Sequence, residues 1–177
     1  MIALNSRVRH LYISVVFIVL ATALAQAKPV RVQCSAPEYK QFDFWVGDWD
    51  VFEIGGKAPV AHVKVDRLLD GCAIHERYED TDGLAGESFS IYDASRKLWH
   101  QTWVTNHGQL LVIEGGLEKG SMVLSGVDRA DDGRQRRVRG TWTPDEHGVR
   151  ETAVRSLDGG KTWRPWFDLE FRPATTH

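Results

Sequence analysis

The stretch Ala61-His62-Val63-Lys64-Val65-Asp66 alternates without a break: Ala61, Val63 and Val65 fall on one parity, and His62, Lys64 and Asp66 on the other. A period of two is the mark of a strand with one face buried and one in water. The pattern continues in both directions. From Phe42 onward, short apolar or alternating runs recur about every 8 to 12 residues, as in an all-β barrel or sandwich. Strands are expected at 45–54, 60–68, 72–80, 87–93, 97–104, 109–117, 121–127, 136–143, 148–156 and 162–172. Between them lie turn signals such as Gly55-Gly56, Asp82-Gly83, Asn106-His107-Gly108, Lys119-Gly120 and Asp158-Gly159-Gly160. Short turns force sequence neighbours to pair antiparallel. The fold expected is therefore an all-β, ten-stranded, antiparallel up-and-down barrel, with a short lead-in near Pro37 to Phe44 plugging one end.

The chain has 177 residues, of which 42% are hydrophobic and 26% charged, a profile that excludes a fibre or a disordered tail. Its first residues differ from the rest. Arg7, Arg9 and His10 precede an apolar run from Leu11 to Leu24, followed by the small-residue steps Ala23-Leu24-Ala25 and Ala25-Gln26-Ala27. The run is shorter than the ~20 residues needed to cross a bilayer and ends in cleavage-type residues, so 1–27 is expected to be a signal peptide. The expected organisation is then a leader at 1–27, a lead-in at 28–41 and a barrel domain at 42–173, in a periplasmic or secreted protein with no transmembrane segment after cleavage. Cys34 follows Val32-Gln33 rather than a small-residue lipobox, which argues against a lipoprotein. Cleavage removes two arginines and no acid, taking the formal charge from −2 to −4. A mildly acidic chain is a poor partner for nucleic acid.

Two cysteines, Cys34 and Cys72, both lie beyond the leader. In an oxidising compartment they are expected to pair, and without nearby ligand spacing they make a poor zinc site.

Polar residues that share parity with apolar ones are the candidates for a lined cavity. Glu76 lies between Ile74 and Tyr78, Gln101 between Trp99 and Trp103, and Glu114 shares parity with Leu110 and Val112. A barrel of about this strand number can enclose space beyond its own side chains, so Trp49, Glu76, Tyr78, Gln101, Trp103 and Glu114 form the expected ligand-binding set. Each inward polar group could equally be satisfied by a local hydrogen bond, or be misplaced by a bulge. Most of the seven tryptophans are expected in the core.

Other motifs carry less. Ser156-Leu157-Asp158-Gly159-Gly160-Lys161-Thr162-Trp163 matches the S-x-D-x-G-x-T-W Asp-box, a hairpin held by Ser and Asp side chains; a single copy cannot build a propeller. His75-Glu76 begins like H-E-x-x-H but lacks the second His and sits on a strand pattern. The run Arg134 to Arg139 follows Asp131 and Asp132 and is expected as a solvated hairpin with local ion pairs. A lone His beside a cavity would suffice for a haem iron, yet no spacing singles one out, so no cofactor is expected.

The opening Phe42-Asp43-Phe44-Trp45-Val46-Gly47-Asp48-Trp49-Asp50-Val51, the step Asp70-Gly71-Cys72 leading to Glu76, Ser88-Phe89-Ser90-Ile91-Tyr92-Asp93, Trp99-His100-Gln101-Thr102-Trp103-Val104 and Glu114-Gly115-Gly116-Leu117 together resemble a family of exported bacterial proteins of unknown function. The resemblance spans nearly the whole chain beyond the leader. It implies a calycin-type barrel, distantly similar to lipocalins, fatty-acid-binding proteins and nitrobindin, with an apolar ligand and no catalytic residues to carry over. No histidine here matches nitrobindin's haem ligand.

The function expected is an exported barrel that binds a small hydrophobic or amphipathic molecule. A rival is a non-catalytic envelope or protein-interaction module with a filled barrel and an exposed aromatic patch. A third is an enzyme using a buried Glu76 as general acid or base.

Overall fold

The computed structural model describes residues 34–130 and 132–175. The leader expected at 1–27 and the start of the lead-in lie outside the described residues. Ten strands follow one another: β1 (Gly47–Glu53), β2 (Ala61–Leu68), β3 (Ala73–Asp80), β4 (Ala85–Asp93), β5 (Leu98–Thr105), β6 (Leu110–Glu118), β7 (Ser121–Arg129), β8 (Gln135–Pro144), β9 (Val149–Ser156) and β10 (Arg164–Pro173). Each pairs antiparallel with the next, and β10 returns to β1, so the sheet closes into an up-and-down barrel with no free edge.

The turns show why the chain reverses where it does. Asp80 Oδ1 accepts from the amides of Asp82 and Leu84, both at 2.9 Å, and Gly83 supplies the positive φ of 91° that closes the bend. The Asp-box is such a hairpin between β9 and β10. Asp158 accepts from the Ser156 hydroxyl, the Lys161 and Thr162 amides and the Thr162 hydroxyl, and the Trp163 indole donates to Gly160 O at 3.0 Å. Those donors hold the Asp158 carboxyl below the usual range, led by the Thr162 hydroxyl.

Register fixes the two faces. Val63 lies opposite Trp49 on one side and Tyr78 on the other, Tyr78 opposite Gly86, Ser88 opposite both Glu76 and Trp103, and Trp103 opposite Leu111. Glu151 lies opposite Trp142 and Leu169. These positions all face the lumen, together with fully buried Val51, Val63, Met122 and Leu124.

One end of the lumen is closed by the lead-in. Two 3-10 turns, Pro37–Lys40 and Asp43–Trp45, carry Phe42 and Trp45 into the barrel, where both are completely buried. Their rings stack at 4.9 Å, and Phe42 meets Trp99 and Trp142 edge-on at 5.7 and 5.5 Å. Burying each aromatic contributes roughly 2–3 kcal/mol. The plug is tied down by polar bonds: the Trp99 indole donates to Gln41 Oε1 at 3.1 Å, and Arg67 donates to Tyr39 O and Gly71 O while pairing with Asp43. The Cys34–Cys72 disulfide fastens it covalently to the turn before β3, across a sequence separation of 38. By the chain-entropy argument a loop of that length stabilises by about 4 kcal/mol.

Candidate functional site

Above the plug the lumen is lined by polar groups on a mostly apolar wall. Glu76 is 6% exposed, and its Oε2 accepts from the Ser88 hydroxyl at 2.7 Å; Gln101 donates to Ser90 Oγ at 3.0 Å. These bonds run across β3–β4 and β4–β5, so the barrel wall fixes them. Across the lumen Glu151 rises from β9. Its carboxyl is enclosed by the barrel. The Trp142 indole N–H, on a residue 3% exposed, faces the Glu151 carboxylate without closing a full hydrogen bond to it.

Two carboxyl groups therefore share one low-dielectric space. Burial pushes Glu76 up to about 7, against a smaller downward pull from Ser88. Burial raises Glu151 well above its ordinary value, and the Glu76 charge adds to this while Trp142 opposes it. Among the described residues neither carboxylate has an ion-pair partner. Tyr78 stands beside both and is pushed up to about 12 by burial first, then by the charges of Asp80, Glu151, Glu76 and Asp82.

Towards the end away from the plug, the inward-facing Tyr78, Trp103, Leu111, Phe167 and Leu169 are all only half-buried. Tyr78 and Trp103 meet edge-on at 5.8 Å. Trp103 lies across the backbone at Gly86, where a Cβ would sit 2.3 Å from the indole ring, so only glycine admits the ring in this position.

Of the six residues expected to line the pocket, five face the lumen, at different depths. Glu76, Gln101, Tyr78 and Trp103 lie together. Trp49 belongs to the core beside the plug, its indole donating to Trp45 O at 2.9 Å. Glu114 is corrected: it points outward, where it accepts from Arg96 and His100, and these bonds hold its carboxyl low. The parity reading fails there because Leu110-Leu111-Val112-Ile113 is apolar on both faces. Leu110 and Val112, 62% and 39% exposed, are the outer residues, and Leu111 and Ile113 the inner ones.

Glu151 was missed, although its signal was of the kind that found Glu76. It shares parity with Val149 and Ala153, both buried. His75 and Glu76 point to opposite faces of β3. His75 stacks on Phe89 at 4.6 Å and bonds Glu87 at 2.9 Å on the outer wall, so the pair cannot act together on a metal. His62 and His100 also face outward, and His107 and His147 lie in turns, so none of the described histidines offers a ring nitrogen to the lumen. No helix among the described residues is long and apolar enough to cross a membrane, and none of their acidic, His and Cys side chains group as a metal site. No family model matches the chain, and no curated protein is similar to it.

Proposed function

We propose that the protein is an exported container that takes a small, largely apolar molecule into the unplugged half of its barrel. One observation carries the reading. Inward-facing aromatic and aliphatic side chains that a filled core would bury completely stay half-accessible, directly above a polar floor of Glu76, Gln101 and Glu151. That is the composition of a ligand site: an apolar wall with a few placed polar groups. The cystine supports an oxidising compartment, and the calycin-like sequence resemblance fits the same role.

Titration with the neutral, polarity-sensitive dye prodan tests the reading. A saturable, one-site rise in emission that is lost in Leu111→Trp, which narrows the mouth, is expected. Emission that never saturates, or saturation that survives Leu111→Trp, contradicts it.

A second reading has its own observation. On the outer wall of β4–β7, Phe89, Ile91, Val104, Leu110, Val112 and Val127 are all exposed, and register brings Val104 beside Leu110. Such a patch suits an interaction module. Under that reading, prodan binding is lost in Phe89→Ser instead.

A further inference from the structure

The two carboxyl groups do more than line the floor; they restrict what can rest on it. An anionic ligand would add a third negative group to a space that already holds two acids. A neutral ligand would leave any ionised carboxylate buried without a counter-charge, which is costly. Among the described residues neither Glu76 nor Glu151 is in an ion pair, and Glu76 has only the Ser88 hydroxyl. A metal ion is poorly served, because hard cations take about six or more oxygen ligands. Here the Gln101 amide is already engaged with Ser90, and the wall above is Trp103, Leu111 and Leu169. The Trp142 indole N–H, buried and aimed at Glu151 without a completed bond, carries no charge and does not neutralise that carboxylate.

We infer that the cup selects a small amphipathic organic cation, an amine whose ammonium group seats between Glu76 and Glu151 while its apolar body lies against Tyr78, Trp103 and Leu111. This rests on the container reading and adds the ligand class to it. The ammonium group would donate to both carboxylates and replace their repulsion with two attractions, and the edge-on Tyr78–Trp103 pair presents aromatic surface to the bound cation and its chain.

Proton release follows. At neutral pH the Glu76 carboxyl, pushed up to about 7 by burial, retains part of its protons, and an entering cation displaces them. The other titratable or charged groups at inward-facing register positions among the described residues are Glu53 on β1, Arg67 on β2 near the plug, Tyr78 and Asp80 on β3, Tyr92 on β4, the Asp128–Arg136 pair of β7 and β8, Arg155 on β9, whose guanidinium stacks on Trp166, and Arg164 on β10. Tyr78 stays protonated across the range tested. Asp128–Arg136 is already paired, and Arg67 is held by the plug.

The test compares three ligands of one shape by calorimetry at neutral pH: 2-phenylethylamine, 2-phenylethanol and 3-phenylpropionate. The amine is expected to bind at least about tenfold tighter than the alcohol, which a single well-placed charge–charge contact provides. It should release protons, seen as a dependence of the heat on the buffer's ionisation enthalpy. Glu151→Gln should erase the amine's advantage; the wild-type comparison and the proton count stand even if that variant folds poorly. Alcohol binding equal to or tighter than amine binding, or proton uptake on binding, overturns the cation assignment while leaving the container intact. If none of the three ligands binds and prodan also fails to saturate, both readings fall.

Discussion

At the scale of single residues, Glu76 is the point of greatest tension. A carboxyl raised to about 7 by burial binds its proton more tightly in the folded chain than in the unfolded one, where its value is near 4.5. Folding is therefore favoured by this group at low pH, and the advantage disappears as pH rises through the window from about 4.5 to 7. The difference amounts to roughly 3 kcal/mol if the site stays dry. Glu76→Gln keeps an oxygen for the Ser88 hydroxyl and removes the titration. The variant should be close to wild type in urea at pH 5 and more stable by up to about 3 kcal/mol at pH 8. A gap between the two proteins that does not widen with pH would show that the carboxyl is not desolvated. Such a group is kept at a cost to stability, which is what a residue held for binding looks like.

At the scale of the strands, close approach rather than side-chain filling shapes the wall between β6 and β7. Gly115 and Gly126 both face inward, and a Cβ on Gly115 would lie 2.0 Å from Val123 O, one on Gly126 2.1 Å from Val112 O. The two strands press together at these glycines, and the barrel curls there. Gly115→Ala should force the strands apart and cost roughly 1–3 kcal/mol in a urea melt; an unchanged midpoint would mean that the approach is looser than described.

The strands were the readable part of the sequence, because turn residues and a period of two are local signals. All ten strands lie within a few residues of their expected bounds, and the lead-in expected near Pro37 to Phe44 does plug one end, with Trp45 buried beside Phe42. Parity worked wherever polar residues marked one face, as around Glu76 and Gln101. It failed on β6, where Leu110 to Ile113 leave both faces apolar, and the correct assignment of Glu114 depends on pairing with β5, information no single strand carries. The opposition of Glu76 and Glu151 is likewise a product of closure: the residues are 75 positions apart by number, and only the barrel brings β3 and β9 across one lumen.

At the scale of the whole molecule, the barrel has two unlike ends. One is sealed by Phe42 and Trp45 and bolted by the Cys34–Cys72 cystine. The other leaves Tyr78, Trp103, Leu111, Phe167 and Leu169 partly accessible above two uncompensated acids. The tryptophans report on both faces of the wall: Trp103 and Trp142 flank the lumen, whereas Trp163 packs under Arg139 on the outer wall. Their indole N–H signals can be followed separately in a proton–nitrogen NMR spectrum during titration with 2-phenylethylamine. The container account predicts that the Trp103 and Trp142 indoles shift in a saturable manner while that of Trp163 stays in place. Movement confined to Trp163, or no movement at all, would contradict it.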